Sequence, residues 1–155
     1  MTIRRVRDGE GAKLRELRLR ALRSDPGAFA ATAKESAARP REHWESWAEV
    51  VFVADEGDAW AGMVAGRRAG DPASAWLFAL WVDPAERGTG LGARLIEAVA
   101  DWARAQGAAA LELSVTTNNP AAAALYARTG FAETGRRRPL PADPSRTEVF
   151  LRREL

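Results

Sequence analysis

The sequence predicts one α/β domain, built as a mixed sheet with helices on its faces. Two observations carry this expectation. Between residues 76 and 115 an apolar run, a helix-period run and a second apolar run follow one another. That order makes a right-handed crossover whose two strands lie parallel. On either side, short apolar or alternating runs are separated by turn residues, which is how antiparallel hairpins read. With 155 residues the chain is long enough to bury one core without covalent staples, so a single domain over residues 1–155 is expected.

The elements follow in chain order. Ile3–Val6 alternates like an edge strand. Leu14, Leu17, Ala21 and Leu22 recur at helical spacing, so a first helix runs to about Arg23. The Ser24–Gly27 turn residues stop it, residues 28–40 are alanine-rich and ambiguous, and His43–Trp47 forms a short second helix. Val50–Ala54 and Ala59–Ala65 flank the turn Asp55–Asp58 as a hairpin. Trp76–Val82 is apolar throughout, as in a strand covered on both faces. After a glycine-rich junction, Leu91, Leu95, Ala98, Val99 and Trp102 share one helical face, with Arg94, Glu97, Asp101 and Arg104 on the other, and Gly107 ends the helix. Ala110–Val115 is the next strand. Asn119 at the N-cap and Pro120 at the first helical position open another helix, which closes at Gly130. Phe131–Gly135 and Thr147–Leu151 supply final strands around a proline-rich loop, residues 138–145.

Composition bounds the function. Hydrophobic residues at 46% and charged residues at 28% are ordinary for a globular protein. No apolar run reaches the roughly 20 residues of a membrane span, and the N-terminus has no signal-peptide core, so no membrane partner and a cytoplasmic location are expected. The chain has no cysteine and one histidine, which leaves no disulfide, no thiolate nucleophile and no metal site: His43 alone cannot ligate one. Net charge is +2, with basic residues mostly interleaved with acids. The one basic run, Arg136–Arg138, is explained by a solvated strand end as well as by a binding patch, and no nucleic-acid partner is expected.

The junction VDPAERGTGLG, residues 82–92, carries the chemistry. Three glycines there are costly in conformational entropy unless something approaches the backbone closely. A helix N-terminus offers unpaired N–H groups and the positive end of the dipole, a seat for phosphate, and Arg87 adds a charged fork. These residues alone allow an anion or simply a loose helix start. A P-loop needs lysine and Ser/Thr after its last glycine, where this chain has Ala93 and Arg94. A dinucleotide fingerprint is spaced G-x-G-x-x-G, against G-x-G-x-G here, although Glu112 does lie about 20 residues downstream.

Arg87 through Gly92 resembles the Arg/Gln-x-x-Gly-x-Gly/Ala signature of the GNAT superfamily of N-acetyltransferases, and Val82-Asp83-Pro84 before it is also typical. The segment NPAAAALY, Asn119 to Tyr126, followed by Gly130 and Phe131, resembles the superfamily's Asn-x-x-Ala-x-x-Leu-Tyr…Gly-Phe segment in the expected order. The resemblance covers residues 76–135 well and the N-terminal half only in its order of elements. It implies the acyl-CoA N-acyltransferase fold: a twisted, mostly antiparallel sheet with a central, splayed parallel strand pair. It further implies acetyl-CoA as co-substrate, its pyrophosphate on Arg87, Gly88, Thr89, Gly90, Leu91 and Gly92, and its pantetheine arm along Leu80, Trp81 and Val82. Asn119 matches a residue that contacts the cofactor arm, and is also an N-cap. Tyr126 matches the tyrosine that protonates the departing CoA thiolate, with a core aromatic as the competing role; the chain has one tyrosine.

The sequence departs from relatives at the general base. Ribosomal-protein acetylases carry a glutamate where this chain has Ser114, and histone-type members one where it has Trp76. Glu112 shares a strand face with Ser114 and is a candidate, although an exposed or structural carboxylate is the stronger reading. The acceptor, a small amine, amino acid or peptide amine, falls to the first helices and the final hairpin. Those segments hold Asp25, Glu35, Trp44, Trp47 and the proline-rich loop, and both tryptophans also read as core. Relatives are often dimers. The reading from a different class is a non-catalytic module that binds CoA through the same cradle.

Overall fold

The structure, a computed structural model, describes residues 1–26, 32–141 and 143–155. Gly27 of the expected helix stop, residues 28–31 of the ambiguous stretch, and Ala142 of the proline-rich loop lie outside the described residues. The elements are β1 (Thr2–Arg5), α1 (Gly11–Ser24), α2 (Ala33–Ala37), α3 (Arg41–Ser46), β2 (Val50–Asp55), β3 (Trp60–Arg68), β4 (Ser74–Val82), a 3-10 turn (Pro84–Glu86), α4 (Leu91–Ala105), β5 (Ala110–Thr116), α5 (Pro120–Arg128), β6 (Ala132–Leu140) and β7 (Asp143–Glu154).

Among the described residues the strands form one sheet in the order β1-β2-β3-β4-β5-β7-β6. Every neighbouring pair is antiparallel except β4–β5, which is parallel. The crossover through α4 is the reason: its apolar stripe returns the chain across one sheet face. Leu91, Leu95, Val99 and Trp102 are buried as the spacing predicts, joined by Ile96 and Ala103. They meet Val64, Leu77, Leu111, Leu113 and Leu151 in one core layer. Each such side chain contributes about 1.5–3 kcal/mol of burial. On the opposite face, Leu14, Leu17 and Ala21 of α1 and Trp44 of α3 cover Val51, Val53, Met63 and Ala65. Trp44 and Trp47 are packed 5.7 Å apart, and Trp47 meets Phe78 at 5.4 Å. Trp44 is therefore a core residue.

The ambiguous stretch contains α2, capped by the Thr32 side chain, which accepts from the Glu35 N–H. One expectation is corrected. Residues 138–145 are mostly strand: Arg138 pairs with Glu148, Pro139 with Thr147 and Leu140 with Asp143, so β6 and β7 run almost to the turn. Prolines suggest a loop, yet β6 is the edge of the sheet, where a missing N–H costs no ladder bond. Arg138 bonded to Glu148 and Leu140, which is fully buried, hold this end in place.

Candidate active site

The parallel pair β4–β5 is joined only at Ser74–Ala110, Ala75–Leu111 and Trp76–Glu112. Beyond Trp76 the two strands separate, and among the described residues no strand pairs with either edge along this gap. β4 also bulges there. Its register on β3 jumps from Phe78 opposite Ala65 to Trp81 opposite Met63, so Ala79 and Leu80 face the single residue Val64. Ala79 has φ 57°, the one positive φ of a non-glycine among the described residues. Phe78 and Ala79, though consecutive, both pack on the α1 side, after which Leu80 and Val82 turn to the α4 side. A one-residue slip flips every later side chain, so the bulge decides which face each residue meets.

The junction glycines stand in two different settings. Gly88 and Gly90 have φ of 81° and 86°, and a Cβ on either would meet open space. Their backbone conformation demands glycine, and nothing stands over them. Gly92 is ordinary helix, but its Cβ would sit 2.9 Å from Leu125 Cδ2. A larger residue here would displace only this side-chain tip of α5. Gly90 caps α4 with no side-chain hydrogen bond, which leaves the first-turn N–H groups to the space in front of them. Asp83 holds the 3-10 turn by accepting from the Ala85 N–H at 2.9 Å, and Thr89 Oγ1 donates to the Glu86 carbonyl at 2.6 Å.

These pieces enclose a cleft of about 800 Å³. Leu80, Trp81, Val82, Arg87, Gly88, Gly90, Leu91, Gly92, Asn119 and Tyr126 all line it, which brings ten residues singled out from the sequence to one place. Thr89 does not line it and serves the turn instead. Asn119 Oδ1 caps α5, accepting from the Ala122 N–H at 3.2 Å, and the residue also faces the cleft. Tyr126 is buried at 7% exposure with its ring edge-on to Phe131 at 5.7 Å. Burial pushes its phenol well above the ordinary value, so it is protonated throughout the neutral range. Its hydroxyl makes no protein hydrogen bond among the described residues, and the residue lines the cleft.

Arg87 is more constrained than a lone phosphate fork. Its Nη2 donates to Asp25 Oδ2 at 2.8 Å and its Nε to the Val82 carbonyl at 3.0 Å. Trp81 Nε1 donates to the same Asp25 oxygen at 2.8 Å. Burial alone would raise the Asp25 carboxyl, but these two donors outweigh it and hold it below the ordinary carboxylate value. Asp25 thus braces the junction, the end of β4 and the end of α1. The brace and the bulge were missed in the sequence. Asp25 gives no local sign of a partner 62 residues away, and Ala79 sits in a run that reads as uniform strand.

Other candidates lie elsewhere. Glu112 accepts from Arg152 Nη1 at 2.7 Å and does not line the cleft. Among the described residues no cluster of three His, Cys, Asp or Glu could hold a metal, and no helix is long and apolar enough to cross a membrane, which says nothing of strands.

The strain at Ala79 gives a test. Ala79→Gly is expected to keep activity and to leave stability equal or up to about 1 kcal/mol higher, because the left-handed backbone conformation penalises a Cβ. Ala79→Val is expected to lose both stability and activity, since β-branched residues resist positive φ most. Thermal melts and turnover of the two variants decide it.

Residues 14–131 match the Acetyltransferase (GNAT) family. The chain is 34% identical over 115 residues to the mycothiol acetyltransferase of Beutenbergia cavernae, covering 74% of this chain and 39% of that protein. It is 31% identical over 121 residues to the [ribosomal protein bS18]-alanine N-acetyltransferase of Escherichia coli, covering 72% of this chain and 82% of that enzyme. A Salmonella typhimurium protein, yncA, solved with its cofactor acetyl-CoA, superposes over 100% of this chain and 94% of its own at TM-score 0.80 and 20% identity. The family match spans more than half of the chain: it belongs to the GNAT family of acetyltransferases.

Proposed function

We propose that this acetyltransferase, whose co-substrate is acetyl-CoA, transfers the acetyl group directly to an amine, with Tyr126 as general acid. The observation that carries this is the cleft itself, which joins an uncapped helix N-terminus, a splayed strand edge and a protonated tyrosine. The pyrophosphate sits over Gly88 and Gly90, where backbone N–H groups and the helix dipole favour anions. Arg87 contributes through the Nη that Asp25 does not occupy. Pantetheine, with its two amides, pairs with the open edge of β4 at Leu80–Val82, as an added strand would. Asn119 faces the same arm.

The thioester then lies at the bulge. Backbone N–H groups at the bulge, from Ala79 and Leu80, are the donors proposed to stabilise the oxyanion that forms on its carbonyl. A neutral amine nitrogen attacks the carbonyl carbon and the C–S bond breaks. The thiolate takes the Tyr126 proton, the nitrogen loses one proton to solvent, and the phenol is reprotonated from solvent. With Glu112 tied to Arg152, and Trp76 and Ser114 unable to act as bases, water serves as the proton acceptor. The bS18-alanine and mycothiol enzymes supply acceptor analogies only, the second across 39% of its length.

The test is a thermal melt with and without acetyl-CoA, followed by thiol release with a panel of amines, amino acids, peptides and aminoglycosides. Ligand at 100 times its Kd stabilises a fold by about 2.7 kcal/mol, and a clear rise in Tm is expected. No rise with millimolar acetyl-CoA sinks the cofactor assignment. A rise without turnover of any acceptor supports the CoA-binding module instead.

A further inference from the structure

The sheet face opposite α4 carries a second patch that the cofactor cleft does not use. Leu77, Leu113, Val149 and Leu151 point to the α4 side. By alternation Trp76 and Phe78 of β4, Ser114 and Thr116 of β5, and Glu148 and Phe150 of β7 point to the other. Arg67 of β3 lies directly opposite Trp76. The floor is aromatic: Trp76 meets Phe150 at 6.0 Å, and Phe78 meets Trp47 at 5.4 Å. Trp76, Phe78 and Ser114 are half-buried and so can still be touched from outside. The patch adjoins the gap between β4 and β5, which opens just past Trp76, so an amine resting here reaches the bulge from the side opposite the cofactor helix.

The charges on this patch are unequally matched. Glu112 and Glu154 are both tied to Arg152, and Glu148 to Arg138. Arg67 and Arg136 have no carboxylate within ion-pair distance among the described residues. They lie instead over aromatic rings, Arg67 at 5.2 Å from the Phe78 centroid and Arg136 at 4.2 Å from that of Phe150. Thr116 Oγ1 is buried beside Glu148 with no hydrogen-bond partner among the described residues. A polycation is repelled by such a surface, and a wholly neutral amine leaves the guanidinium groups unanswered. A carboxylate matches them, because arginine forks bind planar anions through two parallel bonds.

From this we propose that the acceptor is a small amino-acid-like amine, whose apolar body rests on the half-buried Trp76, beside Phe150, and whose carboxylate faces Arg136. The proposal rests on the amine-transfer reading above. Arg136 and Arg67 select the acceptor and take no part in the chemistry. The positive surround also favours the neutral over the ammonium form of a bound amine, which suits a site without a carboxylate base.

The test measures thiol release at saturating acetyl-CoA with L-phenylalanine and L-methionine against phenethylamine, spermidine, kanamycin and an uncharged peptide. The amino acids are expected to be preferred over phenethylamine and spermidine by about tenfold or more in kcat/KM, the scale of one charge-assisted hydrogen bond. Arg136→Gln is expected to raise KM for L-phenylalanine about tenfold, while phenethylamine turnover and the KM for acetyl-CoA stay unchanged. Turnover confined to neutral, cationic or peptide acceptors overturns the inference and leaves amine transfer standing. An amino-acid preference that survives both Arg136→Gln and Arg67→Gln overturns it too. If no acceptor of any charge releases thiol while acetyl-CoA still stabilises the fold, the amine-transfer reading fails and takes the inference with it.

Discussion

Tyr126→Phe is expected to lower kcat by about two orders of magnitude or more, the usual weight of a general acid, while the KM for acetyl-CoA stays within about twofold. The physical basis is the isolation of the hydroxyl. The ring is held edge-on by Phe131 and by burial, and phenylalanine keeps both contacts. The hydroxyl itself bonds no protein atom among the described residues, so removing it leaves no orphaned partner, and the melting temperature should hardly move. A structural tyrosine would behave the opposite way, with stability lost and kcat kept. Steady-state kinetics and a thermal melt on the same sample separate the two. An unchanged kcat reduces Tyr126 to packing. Because burial raises the phenol's pKa, its deprotonation lies above the neutral range, and no loss of activity between pH 7 and pH 9 should trace to this residue.

Gly62→Ala is expected to cost about 1–3 kcal/mol of stability, the range for overpacking a tight interior, and to weaken acetyl-CoA binding as well. Gly62 pairs with Val82 across β3–β4, and a Cβ there would lie 2.8 Å from the Trp81 carbonyl oxygen and 3.2 Å from Leu95 Cδ1. Backbone cannot rotate away as a side-chain tip can, so β4 must shift at Trp81 and Val82. Those residues wall the cleft, and Val82's carbonyl also anchors Arg87. At about 2–4 °C per kcal/mol for a chain of this size, the Tm should fall by several degrees. Gly70→Ala is the control, since a Cβ there meets nothing within 4 Å. Equal melts and equal acetyl-CoA KM for the two variants would remove Gly62 from the cofactor wall.

Much of the fold was legible because its signals are local. The buried stripe of α4 follows from leucines and valines at helical spacing, and the strand–helix–strand order leads to the parallel pair through chirality alone. Asn119 and Pro120 announce the start of α5, and Asn119 does cap it. The hairpin β6–β7 was less legible. Prolines at 139, 141 and 144 read as loop, and only the edge position of β6 makes strand geometry compatible with Pro139.

The site divides in the same way. Glycines 88 and 90 declare a backbone conformation that no neighbour is needed to explain, and Arg87, Asn119 and Tyr126 stand at recognisable spacings around them. By contrast Gly92 lies against the tip of Leu125, 33 positions on, and Arg87 is oriented by Asp25. Local pattern was enough to place the backbone segments that line the cleft, because helix starts, glycine conformations and apolar periods are properties of neighbouring residues. The bulge at Ala79, the Asp25 brace and the unmatched arginines over Phe78 and Phe150 emerge only when the chain is folded. Each of these depends on which strand lies beside which, and on which charges meet across the sheet, and no local pattern encodes that.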